Sequence, residues 1–276
     1  MTDQYAVFGN PVAQSKSPTI HKMFAGQTGE DLHYSKQQVV PGRFEEAADV
    51  FFAAGGKGLN ITVPFKQDAY RYAARLTARA RRAGAVNTLT MREGVVQGDT
   101  TDGVGMIRDI TKNLCWPITG QRVLILGACG AVRGVLEPLL EEAPQHVVIA
   151  NRTLEKAMQL SKAFAEMGYL LGCDLDMLSG QQFDLIINGT SASLQGELPP
   201  LPDDLLAAGG RVYDMMYAAE PTVFMRWAQQ RGAAEVADGL GMLVEQAAES
   251  FSIWRGVQPE TRPVIAAIRQ ELVTGG

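Results

Sequence analysis

The stretch Gln121-Arg122-Val123-Leu124-Ile125-Leu126-Gly127-Ala128-Cys129-Gly130-Ala131-Val132-Arg133-Gly134, followed by a helical pattern and then Val147-Val148-Ile149-Ala150-Asn151-Arg152-Thr153, decides the fold of this 276-residue chain. A short apolar run, Val123 to Leu126, stops at Gly127, and beyond Gly130 apolar residues recur at helical spacing at Val132, Val135, Leu136, Leu139 and Leu140. The glycines therefore lie on a strand-to-helix turn. At such a turn the first N–H groups of the helix and the positive end of its dipole face outward, and glycine lets a phosphate approach the backbone closely. Val147 to Ala150 completes a strand-helix-strand unit. Gly127, Ala128, Cys129, Gly130 and Ala131 are the predicted contacts of a dinucleotide pyrophosphate.

A Gly-x-x-Gly turn alone is also common in ordinary α/β proteins, so the residues after the second strand carry more weight. A site for NAD usually places Asp or Glu about 20 residues past the glycines, on the ribose 2′-OH. Here that place is held by Asn151-Arg152-Thr153, with Lys156 one turn further on. Arginine and lysine suit a 2′-phosphate, and no carboxylate opposes it, which predicts NADP(H) as cofactor. A basic helix start on a solvated surface would read the same way.

Hydrophobic residues make up 46% of the chain and charged residues 20%, with a net charge of -5. That balance predicts a globular protein with a packed core and argues against nucleic acid as partner, since nucleic-acid-binding surfaces are basic. The cluster Arg71, Arg75, Arg79, Arg81 and Arg82 is read as a solvated helix face. Three cysteines without a C-x-x-C pair predict a reducing, cytoplasmic location, and three scattered histidines predict no metal site. No apolar run reaches the ~20 residues of a membrane span.

Around the nucleotide unit the chain alternates strand and helix. Residues 4–8 read as a strand, and Ser17-Pro18 as the start of a helix, with Ser17 either an N-cap or a ligand contact and Ser15 the better candidate for binding. Strands follow at 33–40 and 58–62, separated by a helix over 42–54, which predicts a parallel sheet. The third strand ends Asn60-Ile61-Thr62-Val63-Pro64-Phe65-Lys66. Asn60 and Thr62 leave on one side of it, at the carboxyl end where open α/β sheets bind ligands. A helix over about 67–83 precedes a hairpin, 85–90 with 95–99, and then Asp99-Thr100-Thr101-Asp102-Gly103. Beyond Thr153 the pattern of apolar residues predicts a helix to about Met167 and strands near 169–172, 183–188 and 211–214, the last leading into Met215-Met216-Tyr217. Thr190 lies in a polar loop, and helices at 221–231, 241–256 and 259–272 close the chain.

Nucleotide-dependent hydride chemistry needs a proton donor beside the reacting carbonyl. Lys66 and Asp102 meet that need, a lysine ammonium stabilising a developing alkoxide and a carboxylate orienting it. Asp102 could also be a plain N-cap. Ser15, Ser17, Asn60, Thr62, Asn87 and Gln246 around them suggest a substrate with several hydroxyls. No Gly-x-Ser-x-Gly elbow or phosphate-binding Gly-Lys-Ser/Thr loop supports a hydrolase or a kinase.

Taken together, Gly9-Asn10-Pro11, Ser15-Lys16-Ser17-Pro18, Asn60 to Lys66, Gly84-Ala85-Val86-Asn87-Thr88, Thr101-Asp102-Gly103, Asn151-Arg152-Thr153 and Asp238-Gly239-Leu240-Gly241-Met242 resemble the shikimate dehydrogenases over nearly the whole chain. The resemblance implies an enzyme of aromatic amino-acid biosynthesis that reduces 3-dehydroshikimate to shikimate reversibly with NADPH. It implies Lys66 and Asp102 as catalytic pair, a substrate carboxylate on Ser15, Ser17 and Tyr217, and ring hydroxyls on Asn60, Thr62, Asn87, Asp102 and Gln246. Met215 and Gly239 would line the nicotinamide.

Two residues depart from the family pattern: Cys129 replaces the middle glycine of Gly-Ala-Gly-Gly-Ala, and Thr100 the asparagine of Asn-Thr-Asp-Gly. A shikimate/quinate dehydrogenase that accepts NAD, or an NADP-sensing homologue with weakened turnover, are the alternative readings. The expected architecture is an α/β substrate domain with a mostly parallel sheet (1–102, joined by helices from about 240–276) and a Rossmann-type domain (103–239) with a cleft between them. The expected assembly is a monomer or homodimer.

Overall fold

The computed structural model describes residues 2–275. The chain divides into two compact units, residues 1–105 with 244–268 and residues 106–243 with 269–276. Each contains a six-stranded sheet.

The first unit is built from β1 (Asp3–Gly9), α1 (Ser17–Thr28), β2 (Leu32–Gln38), α2 (Phe44–Ala53), β3 (Gly58–Ile61), α3 (Lys66–Tyr72), β4 (Arg75–Leu76), α4 (Ala78–Ala83), β5 (Thr88–Arg92) and β6 (Val95–Asp99). Strand order is β2-β1-β3-β5-β6-β4. β1 lies parallel to β2 and β3, and β4 parallel to β6, whereas β5 runs antiparallel to β3 and β6. Phe8, Phe44, Leu59, Phe65 and Leu89 fill the core beneath α2 and α3.

After α5 (Asp102–Arg108), the second unit runs through β7 (Arg122–Leu126), α6 (Gly130–Glu141), β8 (His146–Ala150), α7 (Leu154–Ala163), β9 (Leu170–Cys173), β10 (Phe183–Asn188), β11 (Leu206–Asp214), α8 (Val223–Gln230) and β12 (Glu235–Asp238). The closing helices are α9 (Leu240–Arg255) and α10 (Arg262–Thr274). All pairings in this sheet are parallel, in the order β12-β11-β10-β7-β8-β9. Alternate residues of β7 serve different cores: Val123 and Ile125 pack with α6 and α7, Leu124 and Leu126 with α8. A parallel strand covered on both faces must be apolar throughout, which is why residues 123–126 carry no polar side chain. Strand order reverses between β7 and β10, so the loops leaving their carboxyl ends diverge and open a crevice there. Among the described residues no helix is long and apolar enough to cross a membrane, and no group of metal-ligating side chains is present.

Several local expectations are corrected. Lys16, not Ser17, is the N-cap of α1, and Ser17 is its first helical residue. Ser15, which had no assigned structural use, accepts the Ser17 N–H at 3.3 Å and donates to Ser17 Oγ at 3.2 Å. The helix expected over 67–83 is split into α3 and α4 by β4. The Ala74 and Thr77 N–H groups bond to Val96 and Gly98 of β6, and the Thr77 hydroxyl caps α4. Sheet pairing there outweighs the helical propensity of the alanines and arginines. β11 begins at Leu206 rather than 211, β12 is a further strand after it, and α7 ends at Ala163, short of Met167. Residues 269–276 group with the second unit, where Arg269 donates to Ala218 O and Asp238 Oδ1.

One buried group makes stability depend on pH. His21 of α1 is fully buried and stacks on Tyr34, with ring centroids 4.2 Å apart and an interplanar angle of 6°. Burial lowers its pKa from 6.5 to about 3, with only the Asn60 side chain acting the other way. Between those values the unfolded chain binds a proton that the folded chain does not, so stability falls as pH falls, by about 1.4 kcal/mol per pH unit. Above pH 6.5 this contribution is constant. Urea unfolding from about pH 7 to about pH 5 should therefore show His21→Phe losing about one proton's worth of slope relative to the parent, and identical slopes would show that His21 protonates in the fold.

Candidate functional site

In the first unit the carboxyl end of β3 and the segment after β6 bring polar side chains together. Lys66, the first residue of α3, donates from Nζ to Asp102 Oδ2 at 2.5 Å. The two side chains are 25% and 11% exposed, so the pair is partly withdrawn from water but still reachable by a small molecule. The other oxygen, Asp102 Oδ1, accepts from Asn87 Nδ2 at 2.9 Å. The carboxylate thus bridges an ammonium and an amide, and the plain N-cap reading of Asp102 is set aside. Asn87 Nδ2 also lies 3.0 Å from Thr101 Oγ1 and 3.3 Å from Gln246 Oε1, which arrives on α9. Asn60 contacts Thr88 Oγ1 at 3.3 Å and accepts from the Tyr34 hydroxyl at 2.7 Å. Burial raises the pKa of Tyr34 well above its ordinary value, with the Ser17 side chain acting the other way, so it is a neutral donor.

Lys66, Asp102, Asn87, Gln246 and Asn60 therefore form a connected set, with Ser15 and Ser17 as a second pair and Thr62 half-buried at the strand end. Thr101, Thr88 and Tyr34 belong to the same network and were not singled out in the sequence. The adjacency of Thr101 to Asp102 was the available signal for the first, whereas nothing local marks Tyr34, which reaches Asn60 from β2.

In the second unit Gly127 follows β7 with φ of 102°, a conformation that side chains rarely adopt. Cys129 precedes α6 in an extended conformation with no side-chain cap, leaving the first-turn N–H groups open, and its thiol lies 3.3 Å from Gly189 O. A hollow of about 300 Å³ opens beside this turn, lined by Gly127, Asn151, Arg152 and Thr190 among the predicted residues. Leu175, Leu198, Pro199 and Pro200 supply its apolar wall, which the sequence does not announce because the connections after β9 and β10 carry no periodic pattern. Thr153 and Lys156, at the start of α7, are exposed and outside that lining, while Ala128 and Ala131 are half-buried against the core.

Met215 and Gly239 are brought together. A Cβ added to Gly239 would lie 2.2 Å from Met215 O, so only glycine allows β11 and the start of α9 to come this close. Tyr217, in the same unit, is half-buried, and burial raises its pKa, with the Asp238 charge acting in the same direction.

A doubly wound parallel sheet with a glycine turn at its switch point, in one chain with an α/β unit whose strand ends carry a lysine–aspartate pair among amides and hydroxyls, defines the class of two-unit, dinucleotide-dependent dehydrogenases. Family models described as the shikimate dehydrogenase substrate binding domain, shikimate / quinate 5-dehydrogenase and the shikimate 5'-dehydrogenase C-terminal domain match residues 7–89, 109–195 and 239–269. A protein of Cellvibrio japonicus named shikimate dehydrogenase (NADP(+)) is 63% identical over 273 residues, covering 99% of each chain. Among solved structures, an Ael1 enzyme from Pseudomonas putida superposes with a TM-score of 0.92 at 44% identity, covering 96% of this chain and 97% of the other. The Thermus thermophilus shikimate 5-dehydrogenase in complex with NADP(H) and shikimate gives 0.87 at 30% identity, covering 98% and 100%. The chain belongs to the shikimate dehydrogenase family.

The close approach at Gly239 has a measurable consequence. Gly239→Ala should destabilise the protein by about 1–3 kcal/mol, because backbone rather than a mobile side chain blocks the new methyl group. Urea midpoints of the two proteins measure this, and equal midpoints would mean that the Met215 and Gly239 segments separate readily.

Proposed function

We propose that this chain is an NADP-dependent shikimate dehydrogenase, reducing 3-dehydroshikimate to shikimate reversibly, with Lys66 and Asp102 as its catalytic pair. The observation that carries the assignment of roles is the 2.5 Å contact between Lys66 Nζ and Asp102, set among Asn87, Asn60 and Gln246. When bound, NADPH supplies the hydride. Lys66 Nζ donates a hydrogen bond to the ketone oxygen and passes it a proton as negative charge develops there. Asp102 holds the ammonium on one oxygen and is itself held on the other by Asn87, so Lys66 needs little reorganisation during the step. Asn60, Thr62, Asn87 and Gln246 supply donors and acceptors matched to ring hydroxyls, while Ser15, Ser17 and Tyr217 supply hydroxyl donors for the substrate carboxylate.

The second unit suits a dinucleotide on its own geometry. Gly127 offers a backbone surface without a side chain, the open start of α6 faces outward, and Arg152 and Asn151 stand at the hollow where a ribose 2′-phosphate would be met. Gly127, Ala128, Cys129, Gly130, Ala131 and Thr190 would hold the pyrophosphate region, with Thr153 and Lys156 near Arg152, and Met215 and Gly239 beside the nicotinamide. The three free cysteines suit a reducing compartment such as the cytoplasm.

The direct test is loss of NADPH absorbance on addition of 3-dehydroshikimate, with quinate plus NADP as the comparison in the oxidative direction. Lys66→Ala and Asp102→Ala should each lower turnover by roughly 10² or more, the usual worth of a positioned acid or base, with a smaller change in KM for the lysine variant. Near-parental turnover at saturating substrate in either variant would remove that residue from the reaction.

Cofactor preference should follow Arg152. A charge-assisted bond to the 2′-phosphate is worth about 1.5 to 3 kcal/mol, so Arg152→Ala should lower the NADPH-over-NADH preference by about tenfold or more. An unchanged ratio would place the 2′-phosphate elsewhere.

A further inference from the structure

Arg79 was expected on a solvated face with its neighbouring arginines. It instead turns inward and joins two segments that carry candidate site residues. Its Nε and Nη2 donate to Asp99 Oδ1 and Oδ2 at 2.7 and 2.8 Å, a two-pronged contact. Nη1 and Nη2 reach Glu249 Oε1 at 3.3 and 3.2 Å. The three side chains are only 25%, 12% and 15% exposed, so the network is shielded from salt far better than a surface pair.

Both carboxylates stand next to the site. Asp99 is the last residue of β6, and its carbonyl accepts the Asn87 N–H at 3.0 Å, while its Oδ1 accepts the Thr100 N–H at 2.7 Å and the Thr77 hydroxyl at 2.7 Å. It therefore fixes the peptide that leads through Thr100 and Thr101 to Asp102. Glu249 lies three residues after Gln246 on α9, a spacing that puts both on one helix face. Gln246 and Asp102 meet at the same atom, Asn87 Nδ2. Arginine is the residue this geometry demands, since only its planar fork can hold one carboxylate by two bonds and still donate to another.

Resting on the function proposed above, we propose that Arg79 is a positioning residue: through Asp99 and Glu249 it sets the placement of Asp102 relative to Gln246, and so the fit of the substrate ring. The Glu249 arm controls only the helix that bears Gln246. The Asp99 arm controls the segment that bears Asp102.

Two variants separate the arms. Glu249→Ala should raise KM for 3-dehydroshikimate several-fold, about threefold to tenfold, with kcat and the KM for NADPH within about twofold of the parent. Arg79→Lys keeps the charge but loses the fork, and should lower kcat/KM by about tenfold to a hundredfold through both constants, again sparing the KM for NADPH. Amide hydrogen exchange reads the same device without turnover: Arg79→Lys should speed exchange at Thr100 and Asn87, whose N–H groups bond to Asp99, by about tenfold or more. If activity losses merely follow the folded fraction, with KM unchanged, or if exchange at Thr100 and Asn87 is unaltered, Arg79 is structural only and the inference fails. A parent that consumes no NADPH would overturn the proposed reaction instead, and the exchange measurement would still decide the role of Arg79.

Discussion

The side chain of Asn87 is the point on which the first unit converges. Its Nδ2 faces Asp102, Thr101 and Gln246, its Oδ1 accepts from the Thr88 hydroxyl and the Thr101 N–H, and its main chain bonds to Asp99 O and the Ile61 N–H. At 3% exposure it is largely withdrawn from bulk water, so losing one of these partners would leave a buried polar atom poorly satisfied. Asp102 can be orientated toward Lys66 because its second oxygen is already held. The antiparallel turn of β5 in an otherwise largely parallel sheet is what delivers Asn87 to this point, between the end of β3 and the segment after β6.

A similar economy organises the second unit at its switch point. Asn188, closing β10, donates from Nδ2 to Asp214 Oδ1 at 2.9 Å and accepts from both the N–H and the hydroxyl of Thr190. Asp214, closing β11, also takes the Met216 N–H at 3.0 Å and the Thr222 hydroxyl at 2.7 Å. Burial raises the Asp214 pKa, with Thr222 chief among the hydrogen bonds acting the other way. Two adjacent strand ends are thereby tied by side chains, which hold in place the start of the loops carrying Thr190 and Met215. The glycine turn at 127 supplies the neighbouring wall, and the alternation of β7 between two apolar cores holds that turn at a fixed height in the sheet.

Thr100, one of the two departures from the family pattern, uses its backbone N–H for Asp99 and leaves the Lys66–Asp102 contact intact. Cys129, the other, turns its sulfur toward Gly189 O beside the turn. Neither position supplies a side chain to the Lys66–Asp102 contact.

Much of this was legible in the chain itself. The apolar run at 123–126, the glycine turn, the helical spacing after it and the basic residue after β8 specify a nucleotide unit through strictly local rules of periodicity and turn chemistry. Lys66 and Asp102 could be picked out because each opens a helix shortly after a recognisable strand ends. What local rules could not supply were the contacts between residues far apart in sequence. The split of the 67–83 region into two helices depends on β6 accepting a further strand, and the hydrogen bond from the Ser17 N–H to Ser15 Oγ depends on the course of the loop before α1. The inward turn of Arg79 depends on Asp99 and Glu249 arriving on either side of it. An arginine on a helix reads as solvated until the carboxylates that desolvate it are in place, and only the tertiary structure put them there, because pairing of a buried charge is a property of the assembled site and not of the chain around it.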